Sequence, residues 1–411
     1  MLAARWKRPG DSLRLAVYIH FPYCIHKCPY CDFNTYAVRS FPEQRYADAL
    51  KREISFAAAE HPWRGRPIGS VFFGGGTPSL LSAKTVADVL EHLATRFGIE
   101  PDAEITLEAN PGSLEGGGVE RLAGFRAGGV NRLSFGVQSF DARVLETLGR
   151  IHAAGDSERA VAAAREAGFD NVSCDLMFAV PQQTLAECER DLDRLIALGP
   201  EHVSAYNLTY EPGTPLTGLR NAGRVTAADE ETERAMYEAT IDRLAEAGYE
   251  RYEISNFARA GTRDLRSRHN LAYWEWRDYL GLGAGAHGFA AAAPSNAKRD
   301  VDDAGVWGLR YANVRLPETY MSAADGAWAA SSERLDRDMA MAELIMLGLR
   351  LADGIDEERF ARLFGIGFVE AAPACAGLES GGLVERAAGR VRLTRAGLML
   401  GDAVIVRLAV R

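Results

Sequence analysis

The chain has 411 residues, of which 47% are hydrophobic and 25% are charged, a balance typical of a globular protein larger than one domain. The formal net charge of -9 argues against a broad nucleic-acid surface, because phosphate contacts need clustered lysine and arginine. No apolar run reaches the roughly 18 residues of a membrane-spanning helix, and the basic N-terminus lacks the apolar stretch of a signal peptide. We therefore expect a cytoplasmic protein that does not bind nucleic acid.

Short β-rich runs alternate with amphipathic helical patterns in the first half of the chain. This alternation predicts parallel strands that are joined by crossover helices. The strands are predicted at residues 15–20, 70–74, 104–108, 132–136, 171–178 and 202–208, and the helices at residues 43–59, 83–97, 119–127, 157–167 and 185–198.

Each of these six predicted strands ends in a polar or glycine-rich cluster. Active sites of barrel proteins collect at the carboxyl ends of the strands, where loops from different units converge. Six polar ends therefore favour an α/β fold with a partial (β/α) barrel over an open six-stranded sheet. The clusters are His20, residues 74–78, residues 108–111, Gln138, Asp175 and Asn207.

The strand–helix repeat stops near residue 225. Residues 226–247 predict a charged helix, residues 249–257 predict one further strand, and residues 258–268 form a basic connector. The sequence thus predicts a barrel core over residues 1–225, an extension over residues 226–335 and a smaller domain over residues 336–411.

The C-terminal region predicts two helices followed by two strands around a turn at Ala388-Gly389. This order is typical of a small winged-helix-like domain. Its second helical stretch, residues 368–379, contains no lysine or arginine. We interpret this domain as a packing or partner module, because a DNA-reading helix needs cationic side chains.

Three of the six cysteines stand close together at Cys24, Cys28 and Cys31. In a reducing compartment such a group indicates a metal or cluster site. Three thiolates can bind three irons of a cubane and leave the fourth iron without a protein ligand. Structural zinc is the alternative, although zinc usually takes a fourth ligand. The other cysteines are predicted to be structural, and they are Cys174, Cys188 and Cys375.

The CxxxCxxC pattern after the first strand resembles the radical S-adenosylmethionine (SAM) superfamily. Residues 74–78, Gly-Gly-Gly-Thr-Pro, are similar to the glycine-rich strand end of that superfamily. The resemblance implies a [4Fe–4S] cluster on the three cysteines, with SAM chelating the open iron and a SAM-derived radical as the reactive species. Glycine at the strand end would allow SAM to approach the backbone closely.

Four further segments resemble the oxygen-independent coproporphyrinogen III oxidase group, at residues 18–24, 133–140, 148–152 and 175–184. Carboxylates there can accept hydrogen bonds from ammonium or ribose groups, and an arginine can pair with a carboxylate. A hydrogen-bond network without a ligand is the alternative interpretation. The resemblance implies SAM contacts at Tyr18, Tyr30, Gly75, Gly76, Thr77, Glu108, Gln138, Arg150 and Asp175.

The chain departs from the oxidase pattern CxxxCxxCxC, because Phe33 stands where the last cysteine would be. The arm before the first predicted strand is also short. Both differences point to the HemW branch, the radical-SAM-like heme chaperones. Residues 269–274, His-Asn-Leu-Ala-Tyr-Trp, match the HNxxYW signature of that branch.

This resemblance implies heme contact by His269, Asn270, Tyr273 and Trp274. An exposed imidazole beside two aromatic rings could ligate heme iron, whereas a histidine buried in an aromatic core is the other interpretation. The glycine-rich residues 281–288 predict a tight backbone approach near the barrel mouth.

Three functions stay open at this point. The first is a heme chaperone that keeps a cluster and SAM and delivers heme to apo-hemoproteins such as respiratory enzymes. Peripheral association with membrane-bound respiratory complexes, as a monomer or dimer, belongs to this expectation. The second is the oxidative decarboxylation of coproporphyrinogen III, and the third is another radical SAM modification. The sequence does not decide whether SAM is cleaved, so enzymatic activity stays open.

Overall fold

The computed structural model describes residues 14–114, 118–153, 155–291 and 305–409. The N-terminal arm before residue 14 lies outside the described residues. The first half alternates strands with helices, as predicted. Its elements are β1 (Leu15–Phe21), β2 (Tyr23–Cys24), β3 (Tyr36–Ala37), α1 (Glu43–Ala59), β4 (Ile68–Gly75), α2 (Ala83–Phe97), β5 (Ile99–Ala109), α3 (Gly118–Ala127), β6 (Arg132–Gln138), α4 (Ala142–Thr147), α5 (Asp156–Glu166), β7 (Val172–Phe178), α6 (Leu185–Leu198) and β8 (His202–Asn207).

All six predicted strands and all five predicted helices of this half are present. Helix α6 has the predicted bounds because Thr184 and Glu187 form a capping box at its start. Gly199 follows its last turn in the left-handed conformation, which ends the helix. Nowhere in the described ranges is a helix long and apolar enough to cross a membrane.

The middle of the chain extends this sheet at both edges. Within the described ranges the two outermost strands do not pair with each other, so the sheet is a partial barrel. The strand order is β14-β13-β12-β11-β1-β4-β5-β6-β7-β8-β10-β9, and β11 pairs parallel to β1. The added elements are α7 (Pro215–Asn221), α8 (Glu230–Glu246), β9 (Tyr249–Arg251), β10 (Asn256–Arg259), α9 (Arg268–Trp274), β11 (Tyr279–Leu282), β12 (His287–Ala291), β13 (Gly308–Asn313), α10 (Pro317–Ser322) and β14 (Ala329–Leu335).

The prediction of one strand over residues 249–257 is wrong, because β9 and β10 form an antiparallel hairpin. The buried carboxylate of Glu253 causes the turn between them. It accepts hydrogen bonds from the backbone N–H of Ser255, at 3.1 Å, and from the side-chain amide of Asn256. Local side-chain to backbone bonds of this kind favour turns over continued strands.

Alternating residues of the parallel strands face opposite sides of the sheet that forms the barrel wall. Leu15, Val17 and Ile19 of β1 pack with the surrounding helices in the main hydrophobic core. Several inward-facing positions of the other strands are polar, as Thr106 and Arg132 show. A polar interior needs partners for its hydrogen-bonding groups, and it places the chemistry of this protein inside the barrel.

The C-terminal domain has the predicted winged-helix-like order of helices and strands, but the predicted second helical stretch, residues 368–379, is divided into two short helices. Its three strands form a sheet with the order β15-β17-β16. The domain packs on the barrel extension, where Phe364 contacts Trp276 with ring centroids 6.3 Å apart. Its elements are α11 (Arg337–Gly348), β15 (Ile355–Asp356), α12 (Glu357–Phe364), α13 (Phe368–Ala371), α14 (Cys375–Ser380), β16 (Val384–Ala387), β17 (Arg390–Leu393), α15 (Arg395–Met399) and α16 (Gly401–Ala409).

Candidate functional site

The loop between β1 and α1 carries the three predicted cluster ligands. The pairing of β2 with β3 closes this loop at Cys24. The backbone N–H of Cys31 donates to the carbonyl oxygen of Cys28 at 3.1 Å, and the Lys27 ammonium donates to the carbonyl oxygen of Phe33 at 3.0 Å. All three thiols are free and half-buried. The loop therefore holds three thiols at the inner rim of the barrel.

Two hydrogen-bond donors from other parts of the chain face these sulfur atoms. The Thr77 hydroxyl lies 3.6 Å from Sγ of Cys24, and Nη1 of Arg150 lies 3.7 Å from Sγ of Cys28. Burial raises the pKa of the Cys24 and Cys31 thiols, whereas a bound cation deprotonates a coordinating thiol. Donors aimed at sulfur suit thiolates, so this environment fits a thiolate-bound cluster.

The number of thiols bears on the choice between a cluster and a single metal ion. A structural zinc ion usually takes four protein ligands, whereas this loop offers three cysteines. The three thiolates of a cubane bind three different irons and need not converge on one atom. The donor set fits an iron–sulfur cubane better than a single ion.

Strand β4 ends in glycines whose backbone lies directly against the cluster loop. The backbone N–H of Thr77 donates to the carbonyl oxygen of Tyr23 at 2.9 Å. A Cβ atom on Gly76 would overlap that same carbonyl group, and a Cβ atom on Gly75 would overlap the ring of His20. Gly75 also has a φ of 108°. Glycine is therefore required here by contacts within the chain itself.

Two carboxyl groups from neighbouring parts of the wall point into the same space. Oε2 of Glu108 accepts a hydrogen bond from the Gly75 N–H at 3.1 Å, and the Ser134 hydroxyl lies 3.3 Å from Oδ1 of Asp175. Burial, and then the nearby Asp175, raise the pKa of Glu108 to about 8. Burial also raises the pKa of Asp175. Both carboxyl groups can accept hydrogen bonds from a cationic or hydroxylated ligand.

Gln138 and Arg150 have buried polar atoms without partners. Gln138 has a φ of 66°, which is strained for a residue other than glycine, and its Oε1 atom has no hydrogen-bond partner. Arg150 donates from Nη2 to the carbonyl oxygen of Gly136 at 2.7 Å, but its Nε atom has no partner. Buried polar atoms normally have partners, so these two atoms are available to a ligand in this space.

These side chains line one cavity of about 2070 Å³, at the carboxyl ends of the strands. Tyr18 is the exception among the predicted SAM contacts, because its hydroxyl lies 3.0 Å from Nδ1 of His20 and it does not line the cavity. The three cysteines line the cavity together with Tyr30, Gly75, Gly76, Thr77, Glu108, Gln138, Arg150 and Asp175.

The sequence did not indicate that the C-terminal domain lines this cavity. Leu398, Met399 and Leu400 lie along the cavity. The guanidinium of Arg395 joins this region to α8 through two bonds to the carboxylate of Asp242, at 2.6 and 2.8 Å. No motif marks residues 395–403, because only the packing of two distant segments brings them to the cavity.

The HNxxYW motif lies on α9, inside the barrel and away from the cavity. The His269 side chain is only 2% exposed. Its Nδ1 atom lies 3.2 Å from the Ser70 hydroxyl, and its Nε2 atom lies 2.8 Å from the Tyr273 hydroxyl. Burial lowers the pKa of His269 to about 3. The prediction of an exposed imidazole is wrong, and the interpretation as a buried histidine in an aromatic core is correct.

None of the four motif residues lines the cavity, so heme contact by His269, Asn270, Tyr273 and Trp274 stays a prediction. The glycine-rich residues 281–288, in contrast, make the close approach that was predicted. A Cβ atom on Gly283 would lie 2.5 Å from the carbonyl oxygen of His20. This contact brings the turn after β11 against the end of β1.

Two family profiles match this chain: the Radical SAM superfamily at residues 18–195 and the HemN C-terminal domain at residues 335–400. The structure of coproporphyrinogen III oxidase HemN from Escherichia coli, a radical SAM enzyme, has the same fold. It matches with a TM-score of 0.77 at 22% identity and covers 99% of this chain and 92% of that chain. The fold and the cysteine site therefore define a radical SAM protein, a class that carries a [4Fe–4S] cluster and uses SAM.

Relatives that align over two thirds or more of the chain define its family within this class. Heme chaperone HemW of Bacillus subtilis is 36% identical over 394 residues, which cover 95% of this chain and 97% of the relative. Heme chaperone HemW of E. coli is 41% identical over 275 residues, covering 67% of this chain and 70% of the relative. The chain belongs to the HemW family of heme chaperones.

Proposed function

We propose that this protein is a heme chaperone that binds heme beside a cluster and SAM and delivers the heme to apo-hemoproteins. The observation that carries the proposal is one cavity that is lined both by the three-cysteine loop and by residues of the C-terminal domain. The HemW relatives, named as heme chaperones, support the choice of heme as the cargo.

The cluster end of the cavity would hold the [4Fe–4S] cluster on Cys24, Cys28 and Cys31. When bound, the cluster supplies one electron and an open iron for SAM. Around it, the strand end at Gly75 and Gly76 would receive SAM. Tyr30, Thr77, Glu108, Gln138, Arg150 and Asp175 would provide hydrogen-bond partners, with Tyr18 supporting the site from behind.

The rest of the cavity has room for a second ligand. Pockets for one small molecule typically measure about 300–1,000 Å³, whereas this cavity measures about 2070 Å³. Phe33, Tyr206 and Leu400 line it and are 59%, 42% and 53% exposed. A flat, largely apolar macrocycle would cover such side chains and gain free energy from their burial. We place the heme in the part of the cavity that Phe33, Tyr206 and Leu400 line.

Heme contact through the HNxxYW motif would need a conformational change of the protein. His269 has hydrogen bonds at both ring nitrogens, so helix α9 would have to leave the barrel before iron could reach the imidazole.

The proposed receivers of the heme are cytoplasmic apo-hemoproteins and respiratory enzymes, reached by peripheral association with membrane-bound complexes. The protein would act as a monomer or dimer and bind no nucleic acid.

One sample can test this function against the oxidase. Anaerobically reconstituted protein is titrated with heme and then assayed with coproporphyrinogen III, SAM and a reductant. Stoichiometric heme binding without decarboxylation is expected, because Phe33 stands where the oxidases have a cysteine. Decarboxylation without heme binding would instead make the protein an oxidase. The fold similarity to HemN is compatible with either function.

A further inference from the structure

We infer that the HNxxYW motif supports the cluster and SAM site from inside the barrel, with His269 as a positioning residue at the base of a column of side chains. The column runs from α9 through Phe72 and Tyr18 to His20, and ends at the glycine-rich strand end and the cluster loop. The inference rests on the proposed function for the identity of the bound ligands.

The base of the column is fixed to the barrel wall. The carboxylate of Glu104 accepts hydrogen bonds from the backbone N–H groups of Arg268 and His269, each at 3.2 Å, and faces the Ser267 hydroxyl at 3.4 Å. This carboxylate therefore holds the first turn of α9. The Tyr273 hydroxyl, 2.8 Å from Nε2, fixes the orientation of the His269 ring.

Three rings form the middle of the column. The His269 ring lies 5.2 Å from the Phe72 ring at an interplanar angle of 25°, and 6.3 Å from the Tyr18 ring at 32°. The Tyr18 and Phe72 rings are themselves stacked, 6.2 Å apart. A Cβ atom on Gly74 would lie 2.9 Å from both of these rings. The rings thus reach the backbone of the glycine-rich strand end.

His20 completes the column and connects it to both halves of the site. Its Nε2 atom lies 3.0 Å from the carbonyl oxygen of Asn34 in the cluster loop. A carbonyl oxygen only accepts, so Nε2 carries the proton, Nδ1 accepts, and the Tyr18 hydroxyl donates to Nδ1 across 3.0 Å. The same imidazole ring lies against Gly75, where a Cβ atom would overlap it.

The column therefore sets the distance between the cluster loop and the strand end that receives SAM. Removing the His269 ring would leave Phe72 and Tyr18 without their packing partner, and the displacement would pass to His20. A shift of about 1 Å in a positioning group can cost as much as a hundredfold in function. The motif would then affect SAM binding and leave heme binding unchanged.

The test compares two buried histidines of the barrel interior. His202 is 1% exposed and lies between the hydroxyls of Ser173 and Tyr252, each at 2.8 Å. It reaches α9 through the Tyr252 hydroxyl, which lies 3.3 Å from the Ser267 backbone N–H, but its ring contacts Tyr252 and not the stacked rings of the column. It therefore controls for the loss of a buried, hydrogen-bonded imidazole outside the stacked rings. His269→Ala and His202→Ala should lose similar thermal stability. Only His269→Ala should weaken SAM binding to the reconstituted cluster, by about tenfold, while heme affinity stays equal in both variants.

Two milder changes keep the inference testable if the alanine variants fail to fold. Tyr18→Phe keeps the ring and removes the hydroxyl. The cluster should therefore assemble, and adding SAM should change the visible spectrum of the cluster less than it does in the unmodified protein. His20→Gln can still donate to Asn34 and accept from Tyr18, so it should restore SAM binding relative to His20→Ala.

Selective loss of heme binding in His269→Ala would overturn the inference and make the motif a heme site. Equal SAM affinity in all column variants would also overturn it, since the column would then only fill space. If unmodified protein bound no SAM, the proposed cofactor set itself would fail, and that result is visible before any variant is made.

Discussion

The guanidinium of Arg150 donates to Sγ of Cys28 across 3.7 Å, although 122 residues separate the two in the chain. The same guanidinium donates to the carbonyl oxygen of Gly136 at the end of the barrel wall. Arg150 thus connects the cluster loop to the wall that lines the cavity. This contact places a cation beside the sulfur, where it would stabilise the negative charge of a cluster-bound thiolate.

Replacing Arg150 with lysine should separate these two contacts. A single ammonium cannot reach both partners with the geometry of a guanidinium, so Arg150→Lys should weaken SAM binding by about tenfold. The iron content should stay near that of the unmodified protein. Isothermal titration with SAM after reconstitution measures this, with Arg143→Lys as the control, since Arg143 pairs with Glu187 at 2.8 Å outside the cavity. Equal affinities in both variants would contradict the assignment.

Each cysteine of the loop should be needed for the cluster. Anaerobic reconstitution should give about four irons per chain, with broad visible absorption, and Ala at position 24, 28 or 31 should remove most of both. Cys188→Ala is the matched control, because that thiol is buried in α6 away from the site. Iron analysis and visible spectra check the result. A full cluster in the triple variant would disprove the ligand assignment.

A side chain at Gly75 should disturb the SAM site and leave the cluster ligands in place. Gly75→Val combines a φ of 108° with overlap on the His20 ring, so SAM binding should be lost and the melting temperature should fall. Gly98→Ala separates backbone strain from side-chain overlap, because Gly98 has a φ of 77° but no atom within 4 Å of its Cβ position. Unchanged SAM affinity in Gly75→Val would show that this run is only a structural turn.

Glu53 should make stability depend on pH. Its buried carboxyl group accepts hydrogen bonds from the Gly283 N–H at 2.9 Å, and from Asn313 and the Tyr320 hydroxyl at 2.6 Å each. Burial raises its pKa from 4.5 to about 7. The folded chain therefore holds a proton that the unfolded chain releases, and stability falls as the pH rises from 4.5 to 7.

This loss should amount to about 3.5 kcal/mol at most, since one pKa unit corresponds to about 1.4 kcal/mol. Glu53→Gln cannot ionise and should lack this component. Urea unfolding of both proteins at pH 5 and pH 7.5 measures the difference in slope. Parallel pH dependence in the two proteins would show that the carboxyl group is ionised in the folded state throughout.

Local patterns were enough to predict much of this protein. Alternating strands and helices, and the spacing of Cys24, Cys28 and Cys31, each depend on residues close in sequence. The polar strand ends predicted a site at the carboxyl ends of the strands, and the cavity lies there, because the carboxyl ends of parallel strands meet at one edge. The bounds of helix α6, Leu185–Leu198, were predicted from its amphipathic pattern, and the structure adds the capping box at its start.

Contacts between distant segments could not be predicted in this way. Nothing near His269 shows that the Ser70 hydroxyl, 199 residues away, faces its Nδ1 atom, so a motif match alone suggested an exposed ligand. The cavity lining at Leu398 likewise depends on how the C-terminal domain packs, and Arg395 meets Asp242 from 153 residues away. Such pairs are determined by tertiary packing, which leaves no local period in the sequence.

The parallel pairing of β11 with β1 affects how the chain must be made. Strand β1 leads into the cysteine loop, yet one of its two neighbours comes from residues 279–282, about two thirds of the way along. Until those residues leave the ribosome, the backbone edge of β1 is exposed and open to wrong pairing. A fragment that ends at residue 225 would carry every cysteine ligand and still keep that edge open permanently. Iron loading during synthesis would therefore have to wait until β11 is made, or take place while β1 has only one of its two neighbouring strands.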